Sequence, residues 1–230
     1  MRLLSDANPK IQKGVAHGYL TFIMHLAPGS ISGRNVCPGA SAGCLKVCLN
    51  TAGRGHMKPI QDARIRKTNW FYDDRTGFMQ QLVKDVRAGI RKAERLGLIP
   101  VFRLNGTSDL RWETVRVDGY SNIFEMFPNV QFYDYTKLSN RRNIPANYHL
   151  TFSRSESNEQ LLDEALANGM NLAVVFSTKK KADLPTRYRS LPVVDADDTD
   201  LRFLDPAGSV CGLRAKGKAS KDTTGFVVHA

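Results

Sequence analysis

A series of short apolar segments, each followed at once by polar residues, is the feature that most constrains the fold of this chain. The segments are rich in aromatic and β-branched residues, and turn-forming residues bound them, which predicts β-strands. Because polar residues come directly after each segment, the strand ends are the natural place for functional groups. The predicted strands cover residues 18–26, 99–104, 130–135, 148–152, 172–176, 192–194 and 210–214.

Two of the intervals between these segments show the periodicity of a helix. From Ile60 to Leu96 the pattern is helical, with a break predicted around residues 73–77 and apolar residues every four positions from Phe78 to Ile90. A second amphipathic stretch, residues 158–167, ends at Gly169 and leads into the next predicted strand. A strand, a helix, a glycine and a further strand in this order predict a βαβ crossover.

The alternation of strands and helices predicts an α/β protein with one domain over residues 1–230. About seven strands favour a (β/α) barrel, complete or incomplete, in which the polar residues after the strands gather at one face. A doubly wound open sheet is the alternative. The stretch from residue 30 to residue 55, dense in Gly, Ser, Asn and Cys, is predicted to be a long cysteine-rich loop after the first strand.

Composition and charge narrow the class of protein. No apolar run approaches the length of a membrane span, and residues 1–13 lack the apolar stretch of a signal peptide, so we expect a soluble, unexported protein without a membrane partner. The formal net charge of +11 favours polyanionic partners, because each neutralised phosphate releases counterions. The expected partner is a nucleic acid or a phosphorylated small molecule.

Three cysteines in a short stretch of small residues form the strongest chemical signal. Cys37, Cys44 and Cys48 are separated by six and three residues. Three thiolates brought together repel one another unless a cation neutralises them, which predicts a [4Fe–4S] cluster with one open iron, or zinc. Zinc needs a fourth ligand, for which His56 and Cys211 are the candidates. The alternatives are three buried apolar cysteines in the loop, a solvated His56, and a Cys211 that is simply buried in a strand.

Polar residues after the predicted strands are the candidates for binding a substrate or cofactor, and we expect those strand ends to face the cysteine loop. Residues 105–109 have an equally good interpretation as an Asx-type turn that caps a helix beginning at Trp112. The alternative interpretation of Ser155 is a helix cap, and that of the acidic group around Asp195 is a solvated turn. The candidates are Asn105, Ser108, Asp109, Lys137, Ser153, Arg154, Ser155, Glu156 and Asp195.

A compact basic stretch near the end of the chain is the main candidate for contact with a polyanion. It contains Arg214, Lys216 and Lys218, with Lys221 close behind, and residues 179–181 add three lysines. A solvated hairpin is the alternative. The sequence contains no P-loop, GxGxxG, HExxH or nucleophile-elbow motif.

The position and number of the cysteines resemble those of the radical S-adenosylmethionine enzymes, although the gaps between the cysteines are longer here. This resemblance implies an α/β barrel and a cluster whose open iron binds the methionyl part of S-adenosylmethionine.

Most of the chain also resembles an uncharacterised bacteriophage family known only as gene product eighty-eight. That resemblance implies a phage origin and the cytoplasm of the infected bacterial host, and it implies no activity. It is carried by Cys37 to Ala40, Cys44 to Gly53, Arg103 to Asp109, Tyr148 to Asn158 and Gly212 to Lys218.

These observations support three functional hypotheses. The leading one is a phage iron–sulfur enzyme similar to the radical S-adenosylmethionine enzymes, acting on a nucleotide or nucleic acid. The second is a non-enzymatic nucleic-acid-binding protein in which zinc or a cluster has a structural role. The third is a [4Fe–4S] enzyme that binds its substrate directly at the open iron without S-adenosylmethionine.

Overall fold

The computed structural model describes residues 1–6, 13–179 and 182–229. One mixed sheet organises the chain, with helices between its strands. The strands are β1 Leu4–Ser5, β2 Tyr19–Met24, β3 Ile99–Arg103, β4 Gln131–Thr136, β5 Tyr148–Ser153, β6 Asn171–Phe176, β7 Arg187–Tyr188, β8 Leu191–Asp195 and β9 Val210–Arg214. The α-helices are α1 Ala42–Lys46, α2 Lys58–Asp73, α3 Arg75–Arg95, α4 Ile123–Met126 and α5 Leu162–Ala167.

The strand order confirms the α/β class and shows an open sheet. The order is β1-β2-β3-β4-β5-β6-β9-β8-β7, parallel except for the antiparallel edge pairs β1–β2 and β7–β8. All seven predicted strands belong to it. The predicted barrel is not confirmed, because a barrel closes only when its two edge strands pair, and here the order of the described strands ends at the two-residue strands β1 and β7.

Helices α2 and α3 confirm the long helical pattern and its break. The side chain of Asp74 caps α3 by accepting a hydrogen bond from the Gly77 amide at 2.9 Å. Helix α3 then buries its apolar face, including Phe78, Leu82 and Val86, in the main core. A Cβ at Gly89 would lie 2.9 Å from the ring of Phe102, so glycine at this position lets α3 approach β3 closely.

Three segments differ from the expected elements. The predicted loop at residues 30–55 contains the short helix α1, because the Ser41 hydroxyl accepts a hydrogen bond from the Cys44 amide at 3.0 Å and caps it. The helix expected after Trp112 is a single 3₁₀ turn, Trp112–Thr114. The helix expected at residues 158–167 begins as a 3₁₀ turn and becomes α-helical only in α5.

The two faces of the sheet bury different kinds of side chain. On the helix-covered face, Phe22, Phe102 and Phe132 form a row of aromatic contacts with centroid distances of 5.2 and 5.6 Å. On the other face, Val101 and Tyr133 pack against Leu201. We call the ionisable groups of this second face the inner layer: Arg103, Asp200, Arg202, Asp205 and Cys211.

None of the helices in the described ranges combines the length and the apolar character that crossing a membrane requires.

Candidate functional site

The three clustered cysteines lie between β2 and α2, and all three are half-buried free thiols. The Cys37 sulfur accepts a hydrogen bond from the Gly29 amide at 3.3 Å. Cys44 lies inside α1, whereas Cys48 caps a 3₁₀ turn by accepting from the Asn50 amide at 3.5 Å. Hydrogen bonds therefore hold the sulfur atoms of Cys37 and Cys48, and helix α1 positions Cys44.

Burial makes the three thiols poor acids. Burial, together with the charges of Cys48, Asp109 and Cys44, raises the pKa of Cys37 to about 12, although the hydrogen bond from the Gly29 amide opposes the rise. Burial also raises the pKa of Cys44 and that of Cys48, and Cys48 adds to the rise at Cys44. The thiols are thus close enough to interact as charges, and ionising all three requires a nearby positive charge.

A site for a single metal ion needs its ligand side chains close together. Within residues 1–6, 13–179 and 182–229, no group of three or more His, Cys, Asp or Glu side chains is placed so that it could hold a metal ion. The metal site therefore stays a prediction. A four-iron cluster makes a different demand, because each thiolate binds a different iron and the sulfur atoms stand farther apart than around one ion.

Lys137 is the buried cation beside the thiols. Its ammonium group donates hydrogen bonds to the carbonyl and the hydroxyl of Ser153, both at 2.9 Å, and to the Arg154 carbonyl at 3.2 Å. Burial lowers the pKa of Lys137, and the charges of Cys44, Asp109 and Glu156 act in the opposite direction. The Phe226 ring lies 5.1 Å from the same nitrogen and makes a cation–π contact with it.

Glu156, which follows the end of β5, fixes the start of α1. Its carboxylate accepts hydrogen bonds from the Gly43 amide at 2.7 Å and from the Ser41 hydroxyl at 2.9 Å. A Cβ at Gly43 would lie 2.6 Å from a Glu156 oxygen, and one at Gly39 would lie 2.9 Å from Cβ of Lys137. The small residues of the cysteine loop are therefore required by close packing against the ends of β4 and β5.

Asp109 connects the loop after β3 to the end of β4. Its carboxylate accepts a hydrogen bond from the Lys137 amide at 2.8 Å, and Arg141 lies 3.6 Å from its other oxygen. Burial raises the pKa of Asp109, while hydrogen bonds and the positive charges of Arg141 and Lys137 lower it. A carboxyl group with a raised pKa thus lies next to the thiols.

Two of the predicted binding residues are used inside their own loop. The Asn105 side-chain oxygen accepts hydrogen bonds from the Ser108 hydroxyl at 2.8 Å, the Leu110 amide at 3.0 Å and the Trp112 indole at 3.0 Å. This arrangement favours the turn interpretation over cofactor binding at Asn105 and Ser108. Ser155 is likewise buried, and its amide donates to the Asn158 side chain at 2.6 Å.

Charged residues that were predicted to bind ligands form ion pairs within the chain. Arg154 donates to Glu159 at 2.6 Å and to the carbonyl of Phe226 at 3.0 Å. Asp195 binds Arg214 at 2.7 Å, so neither faces the cysteines as a free group. In the basic stretch, Lys216 pairs with Asp197, whereas Lys218 is exposed. Of the three lysines at residues 179–181, Lys180 and Lys181 lie outside the described residues.

The two candidates for a fourth zinc ligand have other contacts. His56 is exposed and contacts the carbonyl of Gly53 within its own 3₁₀ turn. Cys211 is buried in β9 and donates to Asp205 at 3.0 Å. The buried interpretation of Cys211 therefore agrees with its position in the inner layer.

Sequence reasoning missed the contribution of the last residues of the chain. Phe226 and Val227 pack with Val47 and Ala219 in a small apolar cluster that borders Cys44. The Val228 amide donates to the Val175 carbonyl at 2.8 Å, which anchors this segment at the end of β6. The apolar run at residues 226–228 was the available signal, and it is too short to predict its position.

The fold and the site together define an α/β protein with a thiol-rich site at the carboxyl ends of parallel strands. Comparison with family models identifies the family. The model described as Gene product 88 matches residues 2–230, so the chain belongs to the bacteriophage gene-product-88 family. No curated protein and no solved structure matches the chain, and the resemblance to radical S-adenosylmethionine enzymes is unsupported.

Proposed function

We propose that this protein is an iron–sulfur enzyme in which Cys37, Cys44 and Cys48 bind one [4Fe–4S] cluster and leave one iron open to a ligand. The observation that carries the proposal is the group of three half-buried thiols, whose charges interact, beside a buried lysine. Free cysteines that serve as small apolar residues belong in a core, whereas these lie in a loop rich in glycine and serine.

The surrounding residues suit a bound anionic group. Thiolate ligands and sulfide make a cluster negatively charged, and Lys137 supplies positive charge on the Cys44 side. Arg64 has the same effect near Cys48, where its charge lowers the thiol pKa. A bound cluster supplies one-electron transfer and an iron that accepts an electron pair.

Direct binding of the substrate at the open iron is the mode that these residues support best. The side-chain oxygen of Asn105 is occupied by Ser108, Leu110 and Trp112, so this loop offers S-adenosylmethionine fewer polar partners than expected. At the site, one carboxylate oxygen of Asp109 has no hydrogen-bond partner among the described residues, and the charge of Lys137 acts on Cys44. The net charge of +11 favours an anionic substrate such as a nucleotide.

Metal analysis of anaerobically purified protein tests the proposal. We expect about four iron and about four sulfide per chain, as a [4Fe–4S] cluster contains. Cys37→Ala, Cys44→Ala and Cys48→Ala should each lose most of the iron, whereas the matched control Cys211→Ala should keep it. Stoichiometric zinc without iron, or equal iron in all four variants, would reject the cluster.

A second measurement separates the two modes of substrate binding. Dithionite-reduced protein is incubated with S-adenosylmethionine, and 5′-deoxyadenosine is quantified. Direct substrate binding predicts no cleavage and a cluster spectrum that responds to other ligands of iron. Cleavage to 5′-deoxyadenosine would instead establish the use of S-adenosylmethionine.

A further inference from the structure

The surface around the cysteine loop combines an apolar centre with a basic rim. A cavity of about 390 Å³ opens beside Cys48, between residues 28–31 and the segment that carries Leu45 and Thr51. Ile31 and Leu45 line it and are about half exposed, and Leu49 next to Cys48 is 61% exposed. We call this surface, with the basic residues described next, the loop face.

The rim of the loop face is basic. Arg54 lies in a 3₁₀ turn that contacts the turn Leu49–Thr51, and this second turn also contacts the C-terminal turn Gly217–Lys221. A Cβ at Gly217 would lie 3.8 Å from Cβ of Ala52, which brings the exposed Lys218 and Lys221 to the same surface. The basic stretch predicted from the sequence therefore lies next to the thiols.

Acidic side chains are missing from this part of the chain. The sequence contains no Asp or Glu between Asp6 and Asp62, and the Asp62 carboxylate lies 3.1 Å from the Lys58 ammonium group. Asp222, near the C-terminal turn, is buried and accepts a hydrogen bond from the Val227 amide at 3.0 Å. The loop face therefore presents positive charge around an apolar centre.

We propose that the loop face is the docking surface for an acidic electron-carrier protein, a flavin or iron–sulfur carrier that reduces the cluster. This inference rests on the proposed function, because the cluster is what accepts the electron. One electron leaves the carrier and enters the cluster, and no bond or proton changes. Complementary charge steers the encounter, and a small apolar centre with a charged rim suits the brief contacts of electron transfer.

The apolar side chains of the loop face distinguish a protein partner from a nucleic acid. Ile31, Leu45 and Leu49 are aliphatic, whereas surfaces that bind single-stranded nucleic acid stack the bases on aromatic rings. Among the large apolar side chains that are exposed in the described part of the chain, the single aromatic one is Tyr120, which follows the turn Trp112–Thr114 and lies outside the cysteine loop. Cys48 also lies in the cavity wall, so a docked carrier comes close to a cluster ligand.

The test measures electron transfer into full-length protein that holds its cluster, using a reduced plant-type [2Fe–2S] ferredoxin as the probe in anaerobic stopped-flow absorbance. We expect the rate with wild-type protein to fall as ionic strength rises. The double variant Lys218→Glu with Lys221→Glu should slow reduction about tenfold at low salt. Lys84→Glu with Arg91→Glu, on the exposed side of α3, makes the same change in net charge and should leave the rate unchanged.

A second pair of variants tests the apolar centre. Leu49→Glu should slow the ferredoxin reaction, whereas Leu96→Glu, at a leucine that is 58% exposed beyond the end of α3, should not. Every variant is first shown to have wild-type iron content and to be reduced normally by dithionite. A loss that appears with dithionite as well would be damage to the site and would count against docking.

The outcomes separate this proposal from the proposed function. Protein without iron would overturn both. Cluster-containing protein that ferredoxin reduces equally fast in all variants, or does not reduce at all, would overturn the docking surface and leave the cluster intact. Salt-dependent binding of single-stranded oligothymidine that Lys218→Glu with Lys221→Glu abolishes, together with unchanged ferredoxin rates, would assign the loop face to nucleic acid instead.

Discussion

The site around Cys37, Cys44 and Cys48, which we call the thiol site, contrasts with the inner layer. Both bury ionisable side chains, but they balance charge differently. In the inner layer, Arg103 pairs with Asp200 at 2.5 Å and Arg202 pairs with Asp205 at 3.2 Å. In the thiol site, burial raises the pKa of three neighbouring cysteines, and the buried cation beside them is Lys137. The inner layer is compensated by ion pairs between its own residues, whereas in the thiol site the charge of Lys137 acts to lower the pKa of Cys44 and that of Arg64 acts to lower the pKa of Cys48.

Cys211 and Cys37 show that burial alone does not distinguish the two regions. Burial raises the pKa of both thiols. Cys211 donates a hydrogen bond to Asp205 and adjoins Arg202, so it is satisfied as a neutral thiol. Cys37 donates to the Thr107 carbonyl at 3.8 Å, and the charges of the neighbouring Cys48 and Cys44 also act on it. What surrounds a buried cysteine, more than the extent of its burial, indicates whether it is structural or a ligand.

Removing the positive charge of the inner layer should have the largest effect on stability. Arg103→Met removes the ion pair of the buried Asp200 with Arg103, and we expect a loss of about 3–5 kcal/mol in the free energy of unfolding. Urea denaturation measures the loss, with Arg87→Met on the exposed face of α3 as the control. Iron content per folded molecule should be unchanged. A loss no larger than that of the control would show that the inner layer is not held by this ion pair.

Asp134 provides the pH-dependent test, because it lies between the two regions. Burial raises its pKa from 3.8 to about 7, although Arg103 and the Asn105 amide oppose the shift. Because the pKa of Asp134 is higher in the folded than in the unfolded state, protonated Asp134 contributes to the free energy of unfolding. This contribution is fully present below about pH 4 and is lost as the pH rises to about 7, and it amounts to at most about 4 kcal/mol.

Asp134→Asn should therefore flatten the decline of stability over this pH range. Asparagine has no proton to release, and its carbonyl still accepts a hydrogen bond from the Asn105 amide. Unfolding free energies measured across the range test this, with the exposed Asp163→Asn as the control. If Asp134→Asn keeps the wild-type slope, other groups cause the pH dependence.

Close packing in the thiol site gives the smallest expected change in stability. Gly43→Ala places a Cβ 2.6 Å from Glu156 and still nearer to Thr224. Overpacking costs about 1–3 kcal/mol, which outweighs the gain of up to about 1 kcal/mol from replacing glycine by alanine in a helix. We also expect weaker iron retention, because α1 carries Cys44.

Gly14→Ala is the matched control for this substitution. Its Cβ meets no atom closer than 3.5 Å, so the protein should keep both its stability and its iron. Thermal unfolding and iron analysis of the two variants provide the comparison. Wild-type iron retention in Gly43→Ala would show that the loop tolerates movement at α1.

Much of the fold follows from local patterns. The seven predicted strands and the long helical pair with its break at Asp74 are present because their apolar residues repeat with the right period. Strands β1 and β7 were missed because two residues are too few for a pattern. The position of β9 between β6 and β8 was also beyond local reasoning, because strand order depends on contacts distant in sequence.

The candidate site was also predicted only in part. Residue type and spacing singled out the cysteines, Asp109, Lys137 and Glu156, and the structure brings all of them together. The same reasoning also selected Asn105 and Ser108, whose hydrogen bonds close their own turn. Polar residues at strand ends either bind ligands or cap turns, and one sequence does not distinguish these roles.

The sequence by itself determined the strands, the long helices, the group of three cysteines and the basic stretch near the C-terminus. The tertiary structure decided that the sheet is open, that Arg214 pairs with Asp195, and that Phe226 covers Lys137. The physical reason is the range of the forces involved. Apolar periodicity and turn preferences act between residues close in sequence, whereas the compensation of a buried charge depends on whichever residues the fold places within a few ångströms.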